Sequence, residues 1–267
     1  MDMETGRLAA ATSDRLLAAD DPAPVTVERS AGLSAFFLAC DHAGDRIPKR
    51  LRSLGLDDRD LGRHIAIDIG AAAVARRLSA QLDATLALQT YSRLVIDCNR
   101  AFDAQGSIAT ISETTDIPGN RALDPGQAEA RRREIFTPYH DTIRGLLDQR
   151  AAAGQTSVLV AVHSFTPVFK GVSRPWHIGL LYNRDRRLAD IMFDLLGRDD
   201  GLCVGDNQPY AVGDATDYTI PVHGERRGIA HIEIEIRQDL VTEPEGQAEW
   251  AARLAKVLTA ALPRLEA

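Results

Sequence analysis

The sequence predicts one α/β domain, built on a mostly parallel mixed sheet with helices on both of its faces. Short apolar runs alternate along the chain with longer segments whose apolar residues recur every three or four positions, as in strands connected by helices. The proportions of 45% apolar and 26% charged residues are those of an ordinary globular protein. No internal repeat or interior linker interrupts the 267 residues, which suffice for one domain with a substantial core.

The predicted strands are the short apolar runs, at residues 35–40, 84–89, 94–98, 157–162, 178–182 and 229–237. The predicted helices cover residues 70–82, 127–149, 187–196 and 245–262. We expect Pro138 to kink the second of these helices. Two long irregular stretches, 101–126 and 208–228, are expected to be functional or disordered loops. Residues 1–30 are acidic and contain Ala and Pro, which predicts a mobile lead-in to a domain at 31–267.

Composition and charge exclude several classes of partner. A formal net charge of -7 and the lack of a basic stripe argue against nucleic acid. No apolar run approaches the roughly 20 residues of a membrane span. The three cysteines (Cys40, Cys98 and Cys203) are widely spaced and indicate free thiols in a reducing compartment. Without a basic-then-apolar leader, we expect a cytoplasmic protein, and the local clusters of arginine leave a small anionic partner open.

Histidines follow two of the predicted strands. His42 and Asp45 come after strand 35–40, and His163 comes directly after strand 157–162. Ligands collect beyond the carboxyl ends of the strands in parallel sheets, so these side chains are expected at one edge. Two imidazoles and one carboxylate are a common zinc-ligand set that leaves a position for water. His42, Asp45 and His163 therefore predict a zinc site, against the alternative of two histidines that are merely hydrogen-bonded.

Strand 229–237 alternates between isoleucine and ionisable residues. The period of two places His231, Glu233, Glu235 and Arg237 on one face. One interpretation is an edge strand with a solvated, ion-paired face. The other is that one glutamate faces a cleft and acts as the general base toward a zinc-bound water. The residues alone leave both interpretations open.

Arginines bracket the predicted strand 94–98, with Arg93 before it and Asn99-Arg100 after it. An arginine fork binds a carboxylate through two parallel hydrogen bonds, so this pair could hold an acidic substrate. The alternative is that both arginines are solvated or paired with a neighbour such as Asp97 or Asp103.

Further ionisable residues have less specific interpretations. His64 and Asp68 are four apart, which on a helix places them on one face, where they could support the site or cap the next helix. His223 and the Arg226-Arg227 pair lie in the loop before the last strand and are candidates for a lid. Three histidines are expected to be structural: His140, His177 and His231.

Five segments in a fixed order carry a resemblance to a known family. The segments DHAGDRIP, HIAIDIGA, SRLVIDCNR, VHSFTP and HIEIEIRQDL resemble the N-formylglutamate amidohydrolase family, from about residue 36 to residue 239. That family is grouped with the zinc carboxypeptidase-like and aspartoacylase-like hydrolases. The resemblance implies a zinc carboxypeptidase-like fold and a Zn²⁺ cofactor.

The resemblance also implies roles for individual residues. The corresponding positions are His42 and His163 for the metal, Asn99 and Arg100 for the substrate with Arg93 upstream, and Glu235 for the catalytic glutamate. Asp45 stands where the pattern has glutamate, so its side chain is one methylene shorter. In this interpretation Glu235 accepts the proton of water, and Arg93 or Arg100 stabilises the developing oxyanion.

The implied activity is zinc-dependent hydrolysis of an N-acyl acidic amino acid, with N-formyl-L-glutamate giving formate and glutamate. Two alternatives stay open. One is a deacylase or carboxypeptidase-like hydrolase of another N-acyl amino acid or peptide. The other is a non-catalytic anion-binding protein on the same scaffold.

Overall fold

The computed structural model describes residues 15–265, and its centre is a seven-stranded sheet. The sheet has the strand order β1-β3-β2-β6-β11-β9-β10. Its strands are β1 (Val25–Glu28), β2 (Phe36–Cys40), β3 (Thr85–Gln89), β6 (Val158–Phe165), β9 (Ile178–Leu181), β10 (Val204–Asp206) and β11 (His231–Arg237). The remaining strands form two short hairpins, β4 (Ile111–Ser112) with β5 (Thr115–Asp116) and β7 (Val168–Phe169) with β8 (Val172–Ser173).

Strands β3, β2, β6 and β11 run parallel, β1 and β9 pair antiparallel with β3 and β11, and β10 is parallel to β9. The predicted mostly parallel mixed sheet is therefore confirmed. Strand β11 lies between β6 and β9 rather than at an edge. The interpretation of an edge strand with a solvated face was therefore wrong.

The helices are α1 (Asp58–Leu61), α2 (Ala71–Leu82), α3 (Pro125–Arg131), α4 (Thr137–Ala152), α5 (Arg187–Leu196) and α6 (Pro244–Leu265). The predicted helix 127–149 is confirmed as α3 and α4, joined by a π-helical turn at Arg132–Phe136. That wider turn lies just before Pro138, whose ring lacks an N–H donor and clashes with a regular preceding turn. Within residues 15–265, no helix has the length and apolar character that crossing a membrane would require.

Alternation along the strands sends apolar side chains to two cores. Phe36 and Leu38 of β2 pack into the core formed with α2, α5 and α6. Phe37 and Ala39, between them, point into the opposite core, which includes Tyr139 of α4. The predicted helices on both faces are therefore confirmed. The same alternation directs His163, Glu233 and Glu235 to the α4 face, because Val162, Ile234 and Ile236 occupy the other core.

The predicted strand 94–98 is wrong, because this buried apolar segment consists of turns. Its backbone groups are satisfied by side chains and loops instead of a neighbouring strand. Arg131 donates to the Val95 carbonyl, Asn120 donates to the Leu94 carbonyl, and the Asp97 N–H bonds the Ser107 carbonyl. An apolar composition indicates that a segment is buried. This segment is buried without pairing to a neighbouring strand.

The ordered sheet begins earlier than the sequence suggested. Val25–Glu28 pairs with β3, so it belongs to the sheet although it falls within the predicted lead-in 1–30. The remainder of that prediction, at residues 1–14, lies outside the described residues. The predicted loop 101–126 contains the β4–β5 hairpin, and the loop 208–228 contains a π-helical turn at Ile220–Gly224.

Candidate active site

The site lies on the α4 face, at the carboxyl ends of β2 and β6. His42 follows β2 by two residues, whereas His163 lies inside β6, which continues to Phe165. Glu235 of β11 is paired in register with His163. The sheet therefore brings together side chains that are far apart in the sequence.

A carboxylate oxygen joins the two histidines. Asp68 Oδ2 lies 3.2 Å from His42 Nδ1 and 2.8 Å from His163 Nδ1. One ligand atom from each of these three buried residues lies within 4.8 Å of the others, a spacing that allows all three to hold one metal ion. Two imidazoles and one carboxylate are a typical catalytic zinc set. We call His42, Asp68 and His163 the triad.

A second carboxylate holds the far nitrogen of each triad histidine. His42 Nε2 lies 2.8 Å from Asp97 Oδ1, and His163 Nε2 lies 3.1 Å from Asp41 Oδ2. Thr219 Oγ1 donates to the other oxygen of Asp41 at 2.7 Å. Histidine ligands commonly donate their outer N–H to a carboxylate, which leaves the inner nitrogen free for a metal.

The donor set has the electrostatics of a cation site. Burial lowers the pKa of His42 and so does Arg93, but Asp97 and Asp68 outweigh both and raise it. Burial also lowers the pKa of His163, yet Glu233, Asp41 and Asp68 raise it well above its usual value. Each imidazole has a carboxylate oxygen at both nitrogens. Without a metal, each ring would therefore need a proton on Nδ1, facing Asp68, as well as one on Nε2. A divalent ion at the triad would replace both protons.

Asp45 is not brought to the histidines. Its side chain is exposed, and the carboxylate of the triad is Asp68. Gly44 packs so closely against Thr90 that a Cβ would stand 2.0 Å from the Thr90 carbonyl oxygen. The next residue after Asp45, Arg46, forms an isolated parallel β-bridge with Tyr91. Between these two fixed points, Asp45 lies at the surface.

The sequence predicts Asp68 as a helical partner of His64 that could support the site or cap the next helix, but residues 64–68 do not form a helix. The Asp68 N–H donates to the carbonyl of His42 at 3.1 Å, which fixes its backbone beside the first histidine. The segment HIAIDIGA carried Asp68 in the family resemblance, and this was the signal available in the sequence. His64 itself lies near Glu113, with Nε2 and Oε2 3.4 Å apart.

Two buried glutamates of β11 face the triad side of the sheet. Burial raises the pKa of Glu233 and of Glu235 to about 8. Glu233 Oε2 accepts a hydrogen bond from Asn99 Nδ2 at 3.2 Å. Glu235 Oε2 is buried and has no hydrogen-bond partner in the described part of the chain. A buried acceptor without a partner costs stability and points to a bound group that is absent from the protein alone.

The predicted arginines also reach the site, although they bracket turns and not a strand. Arg93 directs Nη2 to Asp97 at 2.8 Å and Nη1 to Asp68 at 3.3 Å, so both ends of its fork are held. Arg100 Nε lies 3.6 Å from Asp97, beyond hydrogen-bond distance. Asn99 Oδ1 accepts from the backbone N–H groups of Tyr218 and Thr219, which anchors the loop 208–228 beside the site.

A cavity of about 400 Å³ opens over these groups. It is lined by His42, Asp68, Arg93, Asn99, Arg100, His163, Glu233 and Glu235, together with Glu113, Phe169 and Tyr210 of the surrounding loops. The volume suits a small molecule.

His64 also lines this cavity, whereas His223 and the Arg226-Arg227 pair do not. His223 stacks on His140, and its Nε2 lies 3.1 Å from His140 Nδ1. Arg227 pairs with Asp148 on α4. The predicted lid contribution of His223 and Arg226-Arg227 is thus not seen at the cavity. The cysteines are free, with Cys40 and Cys98 buried and Cys203 exposed.

Comparisons with known proteins agree with the resemblance. The family model described as N-formylglutamate amidohydrolase matches residues 34–242. The structure is similar to the crystal structure of gene product Atu2144 from Agrobacterium tumefaciens, with 38% identity, a TM-score of 0.92 and coverage of 95% of this chain and 100% of that chain. An N-formylglutamate amidohydrolase from Ralstonia eutropha JMP134 shares the fold at 18% identity and a TM-score of 0.63, over 92% of this chain and 98% of that chain. Curated proteins gave no match. The chain therefore belongs to the N-formylglutamate amidohydrolase family.

Proposed function

We propose that this protein hydrolyses the amide bond of an N-acyl acidic amino acid with the help of a zinc ion, and that N-formyl-L-glutamate is its first candidate substrate. The observation that carries the proposal is the buried triad, which lines a cavity together with Glu235, whose Oε2 has no hydrogen-bond partner among residues 15–265. Membership of an amidohydrolase family supports amide hydrolysis as the reaction class. The choice of zinc as the metal and of an acidic amino acid as the substrate rests on the chemistry of the lining residues.

His42, Asp68 and His163 would hold the ion, in place of the predicted set with Asp45. A bound zinc ion would polarise the acyl carbonyl and lower the pKa of a water molecule. Asp97 and Asp41 orient the two imidazoles through their Nε2 atoms. With each Nε2 donating to a carboxylate, the Nδ1 atoms would be the nitrogens available to bind the ion together with Asp68.

Glu235 would take a proton from the attacking water and deliver it to the leaving nitrogen. Its Oε2 has no competing hydrogen bond among the described residues, whereas Glu233 is held by Asn99. Burial raises the pKa of Glu235, which strengthens its affinity for the transferred proton. Both glutamates line the cavity, but this difference in bonding favours Glu235 as the base.

Arg93 would stabilise negative charge that develops on the carbonyl oxygen. Its guanidinium is fixed between Asp68 and Asp97, so no reorientation is needed during the reaction. Arg100 lines the same cavity, and its Nη atoms make no hydrogen bond within residues 15–265. We assign to Arg100 and Asn99 the carboxylate next to the scissile amide.

The first test is metal-dependent activity across a panel of substrates. Chelator-treated protein should lose hydrolysis of N-formyl-L-glutamate, and stoichiometric zinc should restore it. A screen of N-formyl, N-acetyl and N-succinyl derivatives of Asp and Glu should give the highest kcat/KM with an N-formyl compound. If protein with bound metal hydrolyses none of them but binds their carboxylates, the catalytic proposal fails and the protein is an anion-binding relative.

A second prediction concerns the fork of Arg100. Arg100→Lys keeps the positive charge but loses planar two-point binding, so kcat/KM for N-formyl-L-glutamate should fall by about tenfold or more. Arg121→Lys is a matched control, because Arg121 pairs with Asp116 on the exposed β4–β5 hairpin. Equal kinetics for Arg100→Lys and wild type would remove Arg100 from the carboxylate site.

A further inference from the structure

Two buried histidines outside the cavity take no part in the proposed reaction. His140 lies on α4 and His223 in the loop 208–228, and they are 3% and 1% exposed. Their rings are stacked with centres 5.3 Å apart, and His223 Nε2 lies 3.1 Å from His140 Nδ1. We call His140 and His223 the histidine pair. Buried polar side chains cost stability unless their groups are bonded, so the pair calls for an explanation.

A carbonyl oxygen fixes the direction of the hydrogen bonds in the pair. His140 Nε2 lies 2.8 Å from the Cys98 carbonyl oxygen, which can only accept, so this nitrogen carries a proton. Burial lowers the pKa of His140 to about 4 and that of His223 to about 3, so both rings are neutral at neutral pH. His140 Nδ1 must then accept from His223 Nε2. The remaining nitrogen, His223 Nδ1, is a buried acceptor without a hydrogen-bond partner among residues 15–265.

Two π-helical turns place the histidines of the pair. The turn at Arg132–Phe136 precedes His140, and the turn at Ile220–Gly224 contains His223. Tyr218, just before the second turn, packs on the His140 ring with 4.4 Å between the ring centres. π-helical turns are rare and frequently occur at functional sites. Apolar side chains could fill the same space without an unpaired acceptor, so packing alone does not account for the pair.

The Cys98 carbonyl connects the pair to the support of the first triad histidine. Cys98 is flanked by Asp97 and Asn99. Asp97 Oδ1 lies 2.8 Å from His42 Nε2 and accepts the Asn99 N–H at 2.9 Å. Because this segment belongs to no strand, its backbone depends on bonds from side chains and loops. The N–H of His140 Nε2 therefore helps to fix the Asp97 carboxylate against His42.

The second π-helical turn connects the pair to the support of the other triad histidine. Thr219 directly precedes the turn that contains His223, and its Oγ1 donates to Asp41 at 2.7 Å. Asp41 Oδ2 in turn lies 3.1 Å from His163 Nε2. The N–H of Thr219 also donates to Asn99 Oδ1, at 3.1 Å. The two segments that support the triad are thus tied together twice, once by Asn99 and once by the pair.

We propose that the histidine pair positions the metal site, by keeping Asp97 and Asp41 at the outer nitrogens of the two triad histidines. The metal in this inference rests on the proposed function, whereas the bonding of the pair does not. Neither ring lines the cavity. The pair therefore acts through the segments that it joins and not by contact with a ligand.

The first test measures zinc affinity in variants that keep or remove the hydrogen bonds of the pair. His140→Phe keeps a stacked ring but loses both bonds, so zinc binding should weaken by about tenfold, the low end for an outer-shell change. His140→Gln keeps a donor for the Cys98 carbonyl and an acceptor for His223, and should stay within about threefold of the wild type. His231→Phe is the matched control, because His231 is a buried histidine that bonds the Ile229 carbonyl at 2.8 Å and does not line the cavity.

Kinetics at saturating zinc provide a second readout. Because Asn99 is assigned to the substrate carboxylate, His140→Phe should raise KM by about fivefold, as for one lost hydrogen bond, with a smaller change in kcat. Equal losses of zinc affinity in His140→Phe and His140→Gln would show a role in packing only and would overturn the proposal. Wild-type zinc affinity in His140→Phe would overturn it as well.

Two measurements on metal-free protein separate this inference from the proposed function. Imidazole ¹⁵N NMR of the wild type at neutral pH should show both rings of the pair neutral, each with its proton on Nε2, and a proton on His140 Nδ1 would overturn the inference even if a variant does not fold. His140→Phe should speed hydrogen exchange by about fivefold or more at the N–H groups of Tyr218 and Thr219, which bond Asn99. Wild-type protein that binds no zinc would contradict the proposed function, whereas unchanged exchange in His140→Phe would overturn this inference.

Discussion

Glu235→Gln is expected to reduce kcat for N-formyl-L-glutamate by at least about 10²-fold while zinc stays bound. Glutamine has nearly the same shape but cannot accept the proton of water. The side chain belongs to β11, in register with His163, and does not belong to the triad, so the metal ligands are untouched. Steady-state kinetics and metal analysis of the same preparation provide the two measurements.

Glu233→Gln is the matched variant, because it lies on the same face of β11 and is equally buried. The two positions are about 6.6 Å apart along the strand, so they cannot occupy the same point above the metal. Since Glu233 accepts from Asn99, we expect its loss to disturb substrate binding more than turnover. A greater fall in kcat for Glu233→Gln than for Glu235→Gln would assign the base to Glu233.

Asp68→Asn is expected to weaken zinc binding by at least about 10²-fold, and activity at limiting zinc should fall with it. Losing an outer-shell partner costs about 10- to 100-fold in metal affinity, and a direct ligand should cost more. Asp68 Oδ2 is the only oxygen that contacts both histidine Nδ1 atoms in the described structure. Competition with a zinc-sensitive dye measures the change in affinity.

Asp45→Asn is the control for this experiment, since Asp45 is exposed and is the carboxylate that the sequence pattern favoured. It should bind zinc as the wild type does. The variant Asp97→Asn, which loosens the outer nitrogen of His42, should give an intermediate loss. Zinc loss in Asp45→Asn with normal affinity in Asp68→Asn would show that the ligand set has been misassigned.

Local patterns in the sequence predict the scaffold and several polar positions of the site. The strand predictions at 35–40, 157–162 and 229–237 correspond to β2, β6 and β11, although His163 lies inside β6 and not after it. They succeeded because apolar runs and a period of two are local properties of the chain. The crossover order of strands and helices then predicted a mostly parallel sheet. These signals do not depend on which segments become neighbours.

Which charged groups meet follows from the packing of distant segments and not from local patterns. Asp68 is 26 residues from His42 and 95 from His163 along the chain, and no local pattern relates these distances to one metal site. Asp45, close to His42 in sequence, turns outward because Gly44 packs on Thr90. The geometry of a metal site depends on distances of a few ångströms between remote segments. Those distances are set by packing and not by spacing in the sequence.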